Sequence, residues 1–239
     1  MFIIVKVQSL LYAFFMGFIF CFCPLLIYFA ILIFVFKINI IHQIIAILLG
    51  LAAVLPISLI QFYMPDIFGF IDYPLMATLL KSILLYGLIE EVIKMLLIIP
   101  LPHKDYKELN FLLLAFLAGL SFGCFESLVY FLDHLQMAKY KGADLLYGSI
   151  FVRIFSADII HMACTGLSGL FLFSWREKNK KFSIILTAVT LHGLYDFFVG
   201  FQNNFKWFAV PVILLALIEC RIIYINQKNL CENRLTIFY

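Results

Sequence analysis

Charge is what this sequence has least of. Asp, Glu, Lys and Arg make up 13% of its 239 residues, while 65% are hydrophobic, and the mean hydropathy is +1.07. A soluble domain carries about 25% charged residues. A chain with half that cannot cover a water-facing surface, so the soluble globular class is excluded. The net charge of +3 is spread over short loops. No basic face interleaved with aromatics is present, which excludes a nucleic-acid partner. The six cysteines, Cys21, Cys23, Cys124, Cys164, Cys220 and Cys231, form no CxxC pair. Neither a zinc knuckle nor a disulfide framework is indicated, and they read as small apolar side chains. There is no HExxH, no long polar linker and no internal repeat. The apolar stretch from Val7 to Phe36 exceeds a signal-peptide core of about 7–15 residues, and no A-x-A-like site follows it. It is expected to be the first transmembrane helix.

What is present is a succession of apolar runs. A bilayer core needs about 20 apolar residues per helix. The sequence predicts an all-α polytopic transmembrane bundle of about seven helices, forming one integral membrane domain over residues 1–239. The spans are Ser9–Phe36, Ile40–Phe62, Pro74–Ile99, Leu109–Leu132, Ser149–Phe173, Phe182–Val199 and Trp207–Ile225. Pro24 and Pro56 are expected to kink the first two, and Pro100 and Pro102 to end the third. Orientation follows from Lys and Arg in short loops. One side collects Lys37, Lys104, Lys107, Arg176, Lys178, Lys180, Lys181, Lys228 and Arg234. The other has Lys6, Asp66, Asp72, Lys139, Lys141 and Lys206. The first side is the more basic, which predicts a cytoplasmic C-terminus and an external N-terminus.

The informative residues are those that do not belong in lipid. Glu90, Glu91 and Lys94 lie inside the third span. At about 2.5–3.5 kcal/mol each at a helix centre, three such residues cost on the order of 8–10 kcal/mol before pairing. Either glutamate reaches Lys94 by helical spacing, and Lys94 is expected to snorkel toward the cytoplasmic interface. Adjacent carboxylates in a low-dielectric setting compete for one proton, which makes a glutamate an acid or base near neutral pH. A plain Glu–Lys clamp for helix packing is the competing reading. Glu126 follows Gly119 and Gly123, a small-xxx-small face that admits a neighbouring helix; a simple interhelical hydrogen bond is its competing role. His161 shares a stripe with Asp158 and Thr165, and a lone buried histidine is as readily a packing residue. His192 and Asp196 are four apart, a spacing that suits an aspartate orienting an imidazole or two ligands of one metal. Singly each is weak. Together, four helices carry ionisable groups at comparable depth, and lipid cannot accept them, so they must converge on an interior site.

In this order the motifs Glu90-Glu91-x-x-Lys94, Gly-x-x-Phe-x-x-x-Glu126, His161 in a small-residue helix, and His192-Gly-x-Tyr-Asp196-Phe resemble the PrsW family of bacterial membrane proteases. That family is distantly similar to the CAAX-processing and bacteriocin-processing group. The resemblance covers Leu84 to Gly200, which would be the catalytic core. The family pattern has Asn after the second motif's glutamate; Ser127 stands there in this chain.

The resemblance implies a glutamate-type endopeptidase of a bacterial cytoplasmic membrane. It would cut a membrane-anchored protein, in some members an anti-sigma factor. Site residues are then Glu90, Glu91, Glu126, His161, His192 and Asp196, with Lys94 in support. Either Glu90 or Glu91 is the general base. His161 or His192 places the water or holds the oxyanion. Asp196 orients His192, and Glu126 completes the site. No cofactor is expected; if a metal is used, zinc on His161, His192, Asp196 and a glutamate is the alternative. The rival outside this class is an ion-coupled transporter, because such residues also mark proton relays. A structural membrane protein that keeps the fold without catalysis is the third reading.

Overall fold

Apolar runs that meet no water can satisfy their backbone only within helices or closed barrels, and every run here forms helix. The computed structural model describes residues 2–65, 67–102, 107–141, 143–177, 181–201 and 203–237, with side chains at 12, 14–65, 67–102, 107–135, 147–177, 181–201 and 203–229. Among these residues there is no strand. Helix α1 (Phe2–Phe34) and α2 (Ile40–Tyr63) run through Pro24 and Pro56. Lys37 turns the chain between them with φ of 54°. Asn39 starts α2 by accepting a hydrogen bond from the Ile41 N–H at 2.8 Å, the usual N-cap device.

The third rod is not uniform. It consists of α3 (Pro74–Leu80), a π-helical turn (Lys81–Gly87) and α4 (Leu88–Ile98). The terminus falls just before Pro100, as the prolines require. Then come α5 (Glu108–Lys141), α6 (Ala143–Ile154), α7 (Ala157–Arg176), α8 (Ser183–Val199), a 3₁₀ turn (Asn204–Phe208) and α9 (Ala209–Ile237). Five stretches, in α1, α2, α5, α6–α7 and α9, are long and apolar enough to cross a bilayer. With the shorter α8 and the charged third rod they make the seven expected rods. The fifth differs from the expected single helix Ser149–Phe173: it breaks at Phe155 and Ser156. The Ser156 hydroxyl donates to the Val152 carbonyl at 2.7 Å and accepts from Tyr195 at 3.1 Å, so the break is held by its own side chain and by α8.

Helices α5 and α7 form the centre, flanked by α1, α2, α8 and α9. The outer faces of α1, α2 and α9 expose large apolar residues such as Phe15, Leu55 and Leu214, as lipid-facing surface does. Two glycine seams set the spacing. A Cβ on Gly119 would stand 2.5 Å from the His161 carbonyl, and one on Gly123 would stand 2.8 Å from Asp158 Cα. These are backbone clashes that no rotamer relieves, so only glycine lets α5 lie this close to α7, as the small-xxx-small spacing predicted. The second seam packs α8 on the π-turn: a Cβ on Gly87 would lie 2.6 Å from the Val189 carbonyl, and one on Gly193 would strike Ile83 Cα. The first seam carries Glu126 to His161; the second carries His192 to Glu90 and Glu91. Of the residues used for orientation and cysteine readings, Lys6, Asp66, Lys104, Lys139, Lys141, Lys178, Lys180, Cys231 and Arg234 lie outside those whose side chains are described.

Candidate active site

Three polar atoms face one another at the meeting of α4, α7 and α8. Glu90 Oε2 stands 3.6 Å from His192 Nε2 and 3.9 Å from His161 Nδ1. One ligand-type atom from each residue lies within 4.8 Å of the others, and all three residues are buried. The rings of His161 and His192 meet edge to face, 4.8 Å between centroids.

Behind these atoms each imidazole has a carboxylate on its far nitrogen. Glu126 Oε2 lies 2.7 Å from His161 Nε2. Glu91 Oε1 makes a 2.9 Å contact with His192 Nδ1, although the two are not aligned as a hydrogen bond. A ring whose outer N–H is held by a carboxylate presents a lone pair on its inner nitrogen. Glu91 is 0% exposed; it also pairs with Lys94 at 2.6 Å and accepts from Ser168 at 3.3 Å. Glu91, at 0% exposure, is interior scaffold, and His192, at 1%, turns its Nε2 to Glu90, whereas Glu126 and Asp196, at 28% and 27%, reach open space. That space is a polar cavity of about 510 Å³ whose wall includes Gln61, Glu90, Glu126, Arg153, His161 and Asp196.

The structure thus brings Glu90, Glu91, Glu126, His161, His192 and Asp196 together. It corrects three expectations. Lys94 does not snorkel: it is 2% exposed, sits 3.2 Å from His161 Nδ1, and lies over the Phe122 ring at 4.7 Å. Opposite charge at three and four residues' spacing outweighs the pull of the interface. Asp158, on the same stripe as His161, accepts from the Ser127 hydroxyl at 2.7 Å and ties α7 to α5. Ser127, where the family pattern has Asn, is therefore a packing donor. Asp196 does not hold His192. Its Oδ2 is 3.8 Å from Nε2, beyond a hydrogen bond, and it is Glu91 that stands at Nδ1. Among the acids, the one converging with the two histidines is Glu90 rather than Asp196.

Sequence reasoning missed Gln61, which donates to Glu90 Oε1 at 3.1 Å, and Arg153, which donates to Glu126 Oε2 at 3.0 Å. Arg153 carried a usable signal, a lone cation in Ser-Ile-Phe-Val-Arg-Ile-Phe that lipid should not accept. Gln61 carried none, because a polar residue at the end of a span is ordinary.

Residues 39–219 match the model of a family described as PrsW family intramembrane metalloprotease. The matched segment is wider than Leu84–Gly200: it takes in α2 and the first part of α9. No curated protein and no solved structure matches the chain. The family places the chain among membrane-embedded peptide hydrolases with a membrane protein substrate, which sets aside the transporter reading. A match over most of the chain, centred on the helices that bring the glutamates and histidines together, shows that this chain belongs to the PrsW family of intramembrane metalloproteases.

Proposed function

We propose that the chain hydrolyses a peptide bond of a membrane-anchored protein in the polar cavity, with a divalent cation held by Glu90, His161 and His192. The observation that carries this is the convergence of three inner atoms, two of which, Glu90 Oε2 and His192 Nε2, are buried without a hydrogen-bond partner among the described residues. Buried orphaned acceptors are costly, and a cation would satisfy both. The donor types fit: two imidazoles and one carboxylate are a known ligand set for catalytic zinc, which keeps a further position open. Local charge agrees, since Glu90, Glu91, Glu126 and Asp196 outnumber Lys94 and Arg153. When bound, such a cation polarises a carbonyl and makes a water nucleophilic near neutral pH.

The chain's own residues supply the rest. Glu126 holds the outer nitrogen of His161 and so fixes that ring, and Glu91, 2.9 Å from the outer nitrogen of His192, places a negative charge behind the second ring. Lys94 offsets the charge of Glu91. Asp196, on the cavity wall beside His192, takes the proton from the attacking water and returns it to the leaving amine as the C–N bond breaks. Residues 84–200 form the catalytic core. The orientation read from the loops places the ends of α2, α5 and α8 and the start of α7 toward the outer face, so the cavity opens to the outer half of the cytoplasmic membrane and the C-terminus is cytoplasmic. An anti-sigma factor is the substrate that the motif resemblance suggests.

One observation favours a second reading. The Lys94 ammonium lies 3.2 Å from His161 Nδ1 and 3.7 Å from Glu90 Oε2, so an internal cation already serves two of the three inner atoms. In that case the enzyme is of glutamate type, with Glu90 as the base and the histidines placing the water. Cleavage of a panel of membrane-anchored peptides by the detergent-purified protein separates the two. Loss of cleavage with chelator and recovery with zinc supports the cation reading. Chelator-resistant cleavage that disappears in Glu90→Gln establishes the glutamate type. No cleavage of the panel by the wild type counts against both.

A further inference from the structure

Beyond the polarisation that a bound cation would give, the scissile carbonyl oxygen meets a wall with three carboxylates, the neutral hydroxyls of Ser82, Tyr86, Tyr130 and Tyr195, and one guanidinium, that of Arg153, the donor there with a fixed positive charge. Glu90, Glu126 and Asp196 all line the cavity, and a carboxylate can only accept hydrogen bonds. An oxygen gaining negative charge needs donors. Gln61 donates to Glu90 and the Tyr195 hydroxyl donates to Ser156. Lys94 is sealed behind the site at 2% exposure and is not part of the cavity wall.

Arg153 is different. It sits at the end of α6, just before the break that starts α7, and its side chain is 18% exposed on the cavity wall. Its guanidinium lies over the Tyr130 ring at 3.6 Å, and Nη2 donates to Glu126 Oε2, the same oxygen that faces His161 Nε2. Glu126 and Tyr130 are one helical turn apart on α5, so the group is held on two sides. A guanidinium has five N–H donors in a rigid fork, and the one bond to Glu126 leaves others for a substrate. An arginine within a membrane-spanning stretch is a functional group by default, and Arg153 lines the cavity.

We propose that Arg153 is a catalytic residue that binds the scissile carbonyl oxygen and stabilises it as an oxyanion; this rests on the peptidase reading above. As water attacks the carbonyl carbon, the carbonyl π pair moves onto oxygen and the water proton passes to Asp196. The Arg153 hydrogen bond becomes charge-assisted at that moment and strengthens. It weakens again when the carbonyl re-forms, the C–N bond breaks and the amine takes up the proton. Arg153 itself neither gains nor loses a proton.

The test is steady-state cleavage of a membrane-anchored peptide that the wild type cuts, by Arg153→Gln, Arg153→Lys and the same changes combined with Glu126→Gln. Loss of one oxyanion donor costs roughly a hundredfold or more in kcat. Arg153→Gln is expected to lose about that factor with KM within about threefold of the wild type, and Arg153→Lys, which keeps a charge in place, to lose less. A residue that acted only by holding Glu126 would show no further loss once Glu126→Gln is present; an oxyanion donor loses the same factor in both backgrounds. Glu126→Gln remains measurable, since outer partners of a ligating histidine cost about 10–100-fold. An effect confined to KM, an effect that vanishes in the Glu126→Gln background, or no effect at all overturns the proposal while leaving the peptidase reading intact. Failure of the wild type to cut any peptide is instead a failure of that reading. Arg153→Lys keeps the test informative should Arg153→Gln fail to fold.

Discussion

Glu91 shows how much at this site is scaffold rather than reagent. It is fully enclosed and answers both Lys94 and His192. Removing one partner of a buried pair leaves an uncompensated charge, which costs about 3–5 kcal/mol. Glu91→Gln is therefore expected to lower the thermal unfolding midpoint in detergent and to lose activity along with stability. Asp196→Asn, on the cavity wall, is expected to lose cleavage with the midpoint unchanged. Ser127→Ala removes a 2.7 Å buried bond to Asp158 and leaves that carboxylate short of a donor, at a cost of about 1–3 kcal/mol; a lowered midpoint with substantial residual cleavage is the expected result. The six acidic and histidine positions were legible because each breaks an apolar run, where cost alone marks a residue. Their roles were not. Spacing along α8 suggested that Asp196 serves His192, but helical neighbours compete with groups from other helices, and Glu91 on α4 is nearer.

Among the elements, the seam from α5 to α7 could be read from the spacing of Gly119 and Gly123. The seam from α8 to the third rod could not, because Gly193 meets a π-turn that no periodicity announces. π-turns insert a residue into a helix and recur at functional sites; this one ends at Gly87, three residues before Glu90. The break between α6 and α7 was equally hidden, since Phe155-Ser156 contains neither proline nor glycine. Because Gly193 admits no Cβ without moving the Ile83 backbone, Gly193→Val is expected to push α8 outward and separate His192 from Glu90. Its cleavage rate should fall at least as far as that of His192→Ala, although no reacting group has been changed. A Gly193→Val protein as active as the wild type would show that the seam does not position the site.

For the whole molecule, the loop charges and the helix ends together predict which face the cavity opens to. Val199 and Gly200 line it at the end of α8, whereas Lys181 and Ser183 lie at the opposite end of that helix. In a background without other reactive cysteines, Val199→Cys in intact cells is expected to react with a membrane-impermeant thiol reagent and Ser183→Cys is not. The reverse pattern would invert the orientation. The bundle and its polar centre followed from hydropathy and from the price lipid sets on charge. The convergence of Glu90 with His161 and His192 did not, because it depends on three helices meeting at particular rotations.

If Glu90, His161 and His192 hold a divalent cation, as proposed, the purified protein carries it, and metal content is the first thing to measure. The protein would be purified without chelator, loaded with zinc, desalted, and its bound metal measured per chain beside Glu90→Gln, His161→Ala and His192→Ala. About one ion per wild-type chain is expected, with little in any of the three variants and cleavage that follows occupancy. A wild-type chain that retains no metal yet cleaves, or variants that retain as much metal as the wild type, would contradict the cation reading.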